Sequence, residues 1–207
     1  PAVVLMESCK GSMVRARDIA DLGHDSRLVK GADVKALRNV TQKNDIRDAD
    51  YIARLFYVPG TKYVFVKNQR QQSLQFLQNE YKSLQELRIR VGNQIHAGLE
   101  EFGCPGSKSK KFIQSRMMAH LEKNAELIPD EVMASFLRRR DMWLNLFEQE
   151  EQAKTRMEEI AMTDDDAKRI MTVPGVGAQT AVGMLVHIGG DIGRFKNSGQ
   201  FAASIGL

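Results

Sequence analysis

The chain has 207 residues, which is enough for one large domain or two small ones. Its formal net charge is only +4 although the pI is near 9.1, a mild basic excess that permits a nucleic-acid partner without requiring one. The apolar run at residues 2–6 is too short for a transmembrane span or a signal sequence, and Cys9 and Cys104 lack metal-ligand spacing. These features argue against a membrane span and a disulfide scaffold, and they predict reduced thiols in a reducing compartment.

The first sixty residues have the pattern of a small α/β domain. Residues 2–6 form a short, β-branched apolar run that predicts a buried parallel strand. Glu7 follows at the carboxyl end of this strand, the edge at which open α/β sheets bind ligands, although it could equally be a charge that ends the strand. The next predicted elements are a helix over residues 12–22 with Gly23 as its C-cap, a strand over residues 26–29 and a short helix over residues 32–40.

The following predicted helix begins with two carboxylates, Asp45 and Asp48, and ends near Tyr57. Their three-residue spacing places both side chains on one side of the helix. Two close carboxylates repel each other unless a cation lies between them, and Mg²⁺ prefers oxygen ligands of this kind. The alternative is a solvated acidic first turn, which the helix dipole also favours. Glu7 offers a third carboxylate, so the pattern favours a magnesium site formed by Glu7, Asp45 and Asp48.

A heptad stripe after a connector at residues 61–68 predicts a long helix over residues 69–102. Its apolar positions are Leu74, Leu77, Tyr81, Leu84, Leu87, Val91, Ile95, Leu99 and Phe102. A second long helix is predicted from Glu131 to about Met162 with Asp130 as its cap, after a shorter helix over residues 112–127. We expect the two long helices to form an antiparallel coiled-coil arm. Such an arm could pack only on itself, form a dimer interface, or hold nucleic acid.

Basic residues near these helices are candidate phosphate contacts. Lys110 and Lys111 lie in the loop between the predicted helices, and Arg138 and Arg139 begin a run of three arginines on the second long helix. Arginine suits phosphate because its planar guanidinium forms two parallel hydrogen bonds. Three adjacent arginines are spread around a helix, however, so they cannot all face one ligand. The alternative for each run is an ordinary solvated surface.

A glycine-rich turn near the end of the chain is the second informative motif. Gly175 and Gly177 permit positive φ and let a phosphate approach backbone N–H groups, and the following helix N-terminus adds further donors. This is the helix-hairpin-helix manner of holding a nucleic-acid backbone without reading bases. The alternative is a glycine turn in a helical bundle. The candidate nucleic-acid-binding residues here are Gly175, Val176, Gly177, Ala178, Gln179 and Thr180.

These motifs occur in a fixed order, at residues 4–9, 43–49, 173–181 and 194–207. In that order they resemble the DEDD transposase family of bacterial insertion sequences, in particular its IS110/IS1111 group, over essentially the whole chain. The resemblance implies α/β plus all-α architecture. Its expected parts are a partial RuvC-like (RNase H-like) catalytic domain over residues 1–60, the connector at 61–68, the coiled-coil arm over residues 69–162, and the start of a helix-hairpin-helix transposase domain over residues 163–207.

The resemblance also implies roles for individual residues. Glu7, Asp45 and Asp48 match the second, third and fourth acids that bind Mg²⁺ in the family. The family's first Asp lies upstream of Pro1 and its serine nucleophile beyond Leu207, so this chain alone is expected to be inactive.

The activity that the resemblance implies is that of a site-specific DNA recombinase. It would cut and join DNA at insertion-sequence ends and targets under the guidance of a bridge RNA. It would act as a homo-oligomer held partly by the long helices, in the bacterial cytoplasm near the nucleoid. Two rival interpretations are a RuvC-like hydrolytic nuclease and a non-enzymatic nucleic-acid-binding scaffold.

Overall fold

A computed structural model describes residues 1–37, 45–188 and 192–204, except for the side chains of residues 45, 46 and 194. The chain divides into two compact units, Pro1–Gln72 and Ser73–Leu207. The first unit contains a two-stranded sheet with helices, and the second is helical in its described part. This agrees with the predicted α/β plus all-α class. None of the described helices combines the length and apolar character that a membrane crossing requires.

The first unit is built on two parallel strands. Strand β1 (Val3–Glu7) pairs with β2 (Asp25–Val29), and Glu7 lies opposite Val29. The sequence predicts a buried first strand, but β1 is only half-buried because it has a single neighbouring strand within the described residues. Val64, in the connector at residues 61–68, makes an isolated antiparallel bridge to Leu28.

Three helices accompany these strands within the described residues. They are α1 (Ser12–Asp21), α2 (Gly31–Ala36) and α3 (Asp45–Leu55). Gly23 ends the first of them as predicted, because its φ of +84° lets the His24 N–H reach the Ile19 carbonyl. The predicted helix over residues 32–40 is shorter in its described part, and residues 38–40 lie outside that part. The core of this unit is formed by Val29, Val34 and Leu55, with Leu5, Leu37, Tyr51 and Ile52 packed against it.

Two long helices, α4 (Gln69–Glu101) and α6 (Asp130–Thr163), run antiparallel in the second unit. Gly98 lies against Phe136, Gly92 against Trp143, and Arg88 pairs with Glu150. Residue numbers therefore rise along one helix as they fall along the other. The cluster between them comprises Val91, Ile95, Leu99, Phe136, Trp143 and Leu146, together with Phe112, Ile113, Met117 and Leu121 from the segment that joins the helices.

The predicted heptad stripe is interrupted at its middle. Leu87 is 42% exposed, and the next residue, Arg88, is 6% exposed and faces α6. A straight helix with 3.6 residues per turn drifts by about 20° per heptad relative to a strict 3.5-residue repeat. The buried stripe therefore moves from Leu87 to Arg88, where Glu150 neutralises the charge.

The joining segment differs from the single helix predicted over residues 112–127. It consists of a π-helical turn (Phe112–Arg116), α5 (Met117–Lys123) and a 3₁₀ turn (Ala125–Leu127). Asn124 ends α5 because its side-chain amide donates to the His120 carbonyl at 2.7 Å. The predicted cap Asp130 is instead the first residue of α6. Pro129 is the N-cap, since its carbonyl accepts from both Val132 and Met133 N–H.

Three short helices follow, α7 (Asp165–Met171), α8 (Ala178–Ile188) and α9 (Ser198–Ser204). Asp164 caps α7 by accepting the Ala167 N–H at 2.9 Å, and Asn197 accepts the Gln200 N–H at the start of α9, also at 2.9 Å. A second core joins the ends of the long helices to α7 and α8. Its buried members are Leu74, Met157, Ala161, Ala167, Ala181, Val182, Leu185 and Val186.

Candidate metal and nucleic-acid sites

Glu7 is the last residue of β1 and is half-buried. Pairing with β2 continues one residue beyond it, where the Ser8 N–H donates to the Val29 carbonyl at 2.8 Å. The Glu7 carboxylate lies against the backbone of Gly31, and a Cβ placed on Gly31 would collide with Glu7 Oε1. Glycine at the start of α2 therefore leaves the space that this carboxylate occupies.

Helix α3 carries the other two predicted acids. Asp45 is its first residue, and the Asp45 side chain lies outside the described part. Asp48 is half-buried, four residues before Ile52 and seven before Leu55. These spacings place all three on one face of the helix, and that face packs onto the core of the α/β unit. Helix packing therefore directs Asp48 to the sheet side of α3.

A cavity of about 670 Å³ lies between β1, the start of α1 and α3. Glu7 and Ala49, the residue after Asp48, both line it. Ser12 also lines it, with a buried Oγ that has no hydrogen-bond partner in the described part. Much of the remaining wall is apolar: Val3, Leu5, Met6, Ile52, Ala53 and Phe56. Glu7 and the first turns of α3 thus border one space.

No group of three His, Cys, Asp or Glu side chains in the described part is arranged to hold a metal ion. The Asp45 side chain lies outside the described part, so the predicted trio of Glu7, Asp45 and Asp48 stays a prediction. Carboxylate oxygens are the donors that Mg²⁺ prefers. The position of Glu7 on the cavity wall, in the space that Gly31 leaves, fits such an ion.

The glycine-rich turn links α7 to α8 and is largely exposed. Gly175 has a φ of +86°, and the Val176 N–H donates to the Val173 carbonyl at 3.1 Å, which closes the turn. Val176 packs against the second core and anchors the turn. A Cβ on Gly177 would meet no atom of the described residues within 4 Å, so these residues leave the backbone at the start of α8 uncovered.

The amide groups of Ala178, Gln179 and Thr180 lie in the first turn of α8. The first N–H groups of a helix have no acceptor within that helix. The positive end of the helix dipole also lies at this point. This turn therefore offers the N–H donors and the positive potential that favour binding of an anionic nucleic-acid backbone.

The predicted basic contacts lie on the surface of the helical unit. Arg138 and Arg139 are exposed, whereas Arg140 is half-buried and donates to the Gln114 carbonyl at 3.3 Å. Lys110 and Lys111 are exposed, and Lys110 Nζ lies 5.4 Å from the centroid of the Phe147 ring. The prediction that three adjacent arginines do not share one face agrees with this arrangement.

Two buried polar groups carry no functional assignment from the sequence. Arg88 and Glu150 form an ion pair inside the helical unit. In the sequence, this pair is marked only by the position of Arg88 next to Leu87 of the heptad stripe. His96 is buried and its Nδ1 has no partner in the described part of the chain, although no triad or zinc spacing in the sequence distinguishes this histidine. Burial also raises the pKa of the Cys104 thiol, which opposes a nucleophilic role.

Comparison with known proteins relates the chain to transposases. A family model described as the transposase IS116/IS110/IS902 family matches residues 167–207, which include the glycine-rich turn and α8. Over 207 residues and the whole chain, the sequence is 31% identical to the transposase for insertion sequence element IS1328 of Yersinia enterocolitica. Over 210 residues and 99% of the chain, it is 28% identical to the transposase for insertion sequence element IS1111A of Coxiella burnetii.

The chain spans 60% of the length of the first of these relatives and 56% of the second. The matches support assignment of the chain to the IS116/IS110/IS902 family of insertion-sequence transposases. They confirm the family resemblance that the order of sequence motifs indicated.

Proposed function

We propose that this chain supplies metal-binding carboxylates and a nucleic-acid-holding turn to a transposase that cuts and joins DNA. The observation that carries the proposal is the similarity to insertion-sequence transposases along the whole chain. The cavity bordered by Glu7 and the first turns of α3 is consistent with it. The α/β unit would be part of a RuvC-like domain.

Glu7, Asp45 and Asp48 would hold Mg²⁺. When bound, this ion supplies Lewis-acid stabilisation of the attacking and leaving oxygens of a phosphodiester. The chain's own contribution is positional: Gly31 leaves room for the Glu7 carboxylate, and Ile52 and Leu55 fix the rotation of the helix that carries the two aspartates. Rigid elements of this kind keep a catalytic constellation within the narrow tolerance that it needs.

The glycine-rich turn and α8 would act as a helix-hairpin-helix that holds the DNA backbone. Gly177 leaves the backbone open, and the first turn of α8 offers N–H groups and a positive dipole end. Contacts of this type position the duplex without reading its sequence. Lys110, Lys111, Arg138 and Arg139 would add sequence-independent phosphate contacts.

Sequence recognition would then come from a guide RNA, and strand attack from a serine, as the family resemblance implies. No serine of this chain is given that role. The transposase would assemble as a homo-oligomer through its long helices. Phe76 and Leu87 support this part of the proposal because both are exposed apolar side chains, about three helical turns apart on α4.

Transposition in bacterial cells, with the full reading frame that carries this chain, tests the proposal. Glu7→Gln, Asp45→Asn and Asp48→Asn should each lower the transposition frequency at least about 100-fold, since even changes to residues that only hydrogen-bond to metal ligands cost about 10–100-fold. Asp50→Asn is the matched control, because Asp50 is on the same helix and pairs with Arg54 at the surface, 2.7 Å away. If the three variants transpose as often as the control at equal protein levels, the acids are structural and the scaffold interpretation holds.

A further inference from the structure

Aromatic side chains of the α/β unit gather around the guanidinium group of Arg27. Its guanidinium carbon lies over two rings, 5.7 Å from the centroid of Phe56 and 5.2 Å from that of Tyr63. Phe56 also contacts the neighbouring Tyr57 ring in a T-shaped arrangement, with 5.2 Å between the centroids and 89° between the ring planes. These contacts join Arg27, Phe56, Tyr57 and Tyr63 into one continuous surface, the aromatic patch.

The rings of the aromatic patch reach solvent, and Tyr57 reaches it most. This residue is 81% exposed, against 41% for Phe56 and 37% for Tyr63. A T-shaped contact covers at most one face of a ring, so at least one face of Tyr57 is open. Three neighbouring aromatic side chains with this exposure make a contiguous apolar surface of the kind that marks an interaction site.

The fold holds the patch in place at two points. Phe56 directly follows Leu55, a core residue at the end of α3, and Tyr63 directly precedes Val64, which bridges to β2. The cation of Arg27 attracts the π-electron faces of both rings. The rings therefore lose little conformational freedom when a ligand stacks on them, which favours binding.

The stretch that carries most of the patch is basic and contains no acid. Between residues 51 and 79 the chain has no Asp or Glu, although it has 26 of them in all. The cationic residues of this stretch are Arg54, Lys62, Lys67 and Arg70. Asp50 pairs with Arg54, and Asp25 pairs with Arg27. The excess of positive charge therefore comes from the other three cations of the stretch, and it favours an anionic partner.

Exposed aromatic rings within a basic stretch are typical of surfaces that bind single-stranded nucleic acid. Unpaired bases stack on the rings, and cationic side chains follow the phosphates. A duplex fits such a surface less well, because its base faces are stacked inside the helix and it presents only phosphates and groove edges. The combination of open rings and positive charge therefore favours one strand over two.

The position of the patch indicates which strand this is. Phe56 and Tyr57 also line the cavity that Glu7 borders, and Arg15 of α1 lines the same cavity. A strand whose base stacks on Tyr57 therefore lies beside the candidate metal site. In the proposed function, the strand at that site is the DNA that is cut.

We propose that the aromatic patch binds single-stranded DNA, with the Tyr57 ring stacked on an unpaired base and the exposed Arg15 side chain paired with a phosphate of the same strand. The choice of DNA over RNA rests on the proposed function. The stacking itself depends only on the rings and needs no metal ion.

The experiment measures the affinity of the chain for a short labelled strand of thymidine nucleotides by fluorescence anisotropy, with EDTA present so that no divalent ion contributes. Tyr57→Ala should weaken binding about 5- to 150-fold, which corresponds to the roughly 1–3 kcal/mol that one stacked base contributes. Tyr57→Phe keeps the ring and should bind within about twofold of the unaltered chain. Leu22→Ala is the matched control, because Leu22 is 76% exposed in the same unit and lies outside the patch.

Equal affinity of Tyr57→Ala and Leu22→Ala for the strand would overturn the proposal. A loss of affinity in Tyr57→Ala that is as large for a DNA duplex as for the single strand would also overturn it, since the bases of a duplex are already stacked. If Tyr57→Ala weakens binding of an RNA strand but not of the DNA strand, the partner is RNA and the assignment to DNA is wrong.

Two further measurements test other occupants of the patch. In analytical ultracentrifugation without DNA, Tyr57→Ala should leave the oligomeric state unchanged, and a dimer lost in this variant would assign the patch to a second copy of the chain. In the full reading frame that carries this chain, Tyr57→Ala should weaken single-strand binding as well. Unchanged affinity there would mean that other segments cover the rings. Transposition of Glu7→Gln is scored separately, so a failure of the metal proposal is distinguishable from a failure of the stacking proposal.

Discussion

Glu150 is the residue whose replacement should most disturb the pairing of the two long helices. It is 2% exposed, and Arg88 Nε donates to its Oε2 atom. Arg88 Nη2 and Gln85 Nε2 donate to the other carboxylate oxygen, at 3.3 and 3.4 Å. The guanidinium carbon of Arg88 also lies 5.6 Å from the centroid of the Trp143 ring. Arg88 is thus buried with Glu150 as its counter-ion.

Glu150→Gln removes the negative charge and keeps the size of the side chain. The Arg88 charge then stays buried without a counter-ion, and breaking a buried pair in this way costs about 3–5 kcal/mol. At roughly 2–4 °C per kcal/mol, the expected fall in Tm is about 6–20 °C. The double replacement Arg88→Met with Glu150→Leu should recover most of this loss, because it removes both charges and fills the space with apolar atoms.

Urea and thermal unfolding, followed by far-UV circular dichroism, measure both effects. Glu148→Gln is the matched control, since Glu148 is exposed on the same helix two residues away and should change stability by less than about 0.5 kcal/mol. The reasoning is refuted if Glu150→Gln is as stable as the control. It is also refuted if the double variant is as unstable as the single one.

Four further predictions concern single residues elsewhere in the helical unit. Gly175→Ala should destabilise the protein by about 1–2 kcal/mol, because φ is +86° there. Gly177→Ala, in open space, should leave the urea midpoint nearly unchanged but weaken binding of a labelled DNA duplex in an anisotropy assay, and equal affinity would contradict the proposed contact. Burial lowers the pKa of His96 from 6.5, so below that pH the unfolded chain binds a proton that the folded protein does not. The free energy of unfolding should therefore fall as the pH drops below 6.5. Unfolding curves at several pH values should show a smaller fall for His96→Gln. Asp164→Ala should cost about 0.5–2 kcal/mol in urea unfolding, because it removes the cap of α7, whereas Asp165→Ala, at an exposed position, should cost less.

The sequence predicts the long helices well because their ends have strong local signals. Residues 69–102 were expected and α4 spans Gln69–Glu101. Gly103 has a φ of +70° and lets the Cys104 N–H bond to the Leu99 carbonyl, which ends the helix at the predicted point. Signals of this kind are local, so one sequence contains them in full.

The burial of Arg88 could not be predicted from the periodicity alone. The heptad pattern predicts that Leu87 is buried. The actual twist of α4 relative to α6 instead turns Arg88 inward toward Glu150. The same limit applies to His96, which is buried with the Phe112 ring of the joining segment packed against it. Long-range packing decides such positions, and periodicity does not contain that information.

The candidate metal site was predictable as a set of residue types but not as a geometry. Glu7 at a strand end and an aspartate pair on a helix are visible in the sequence. That Glu7 lies over Gly31 and shares a cavity with Ala49 follows only from the packing of α2 and α3 around the sheet. The motifs name the predicted ligands, and the fold determines whether they converge.

Binding of a divalent cation at these acids tests the central claim most directly. Mn²⁺, which accepts the same oxygen ligands as Mg²⁺, would be titrated into the ¹⁵N-labelled chain while amide signals are followed by NMR. We predict selective broadening at Glu7 and Asp48, reversed by excess Mg²⁺ and lost in Glu7→Gln and Asp48→Asn. Broadening only at the exposed acidic residues Asp165 and Asp166, or none at Glu7 and Asp48, would contradict the proposed metal site.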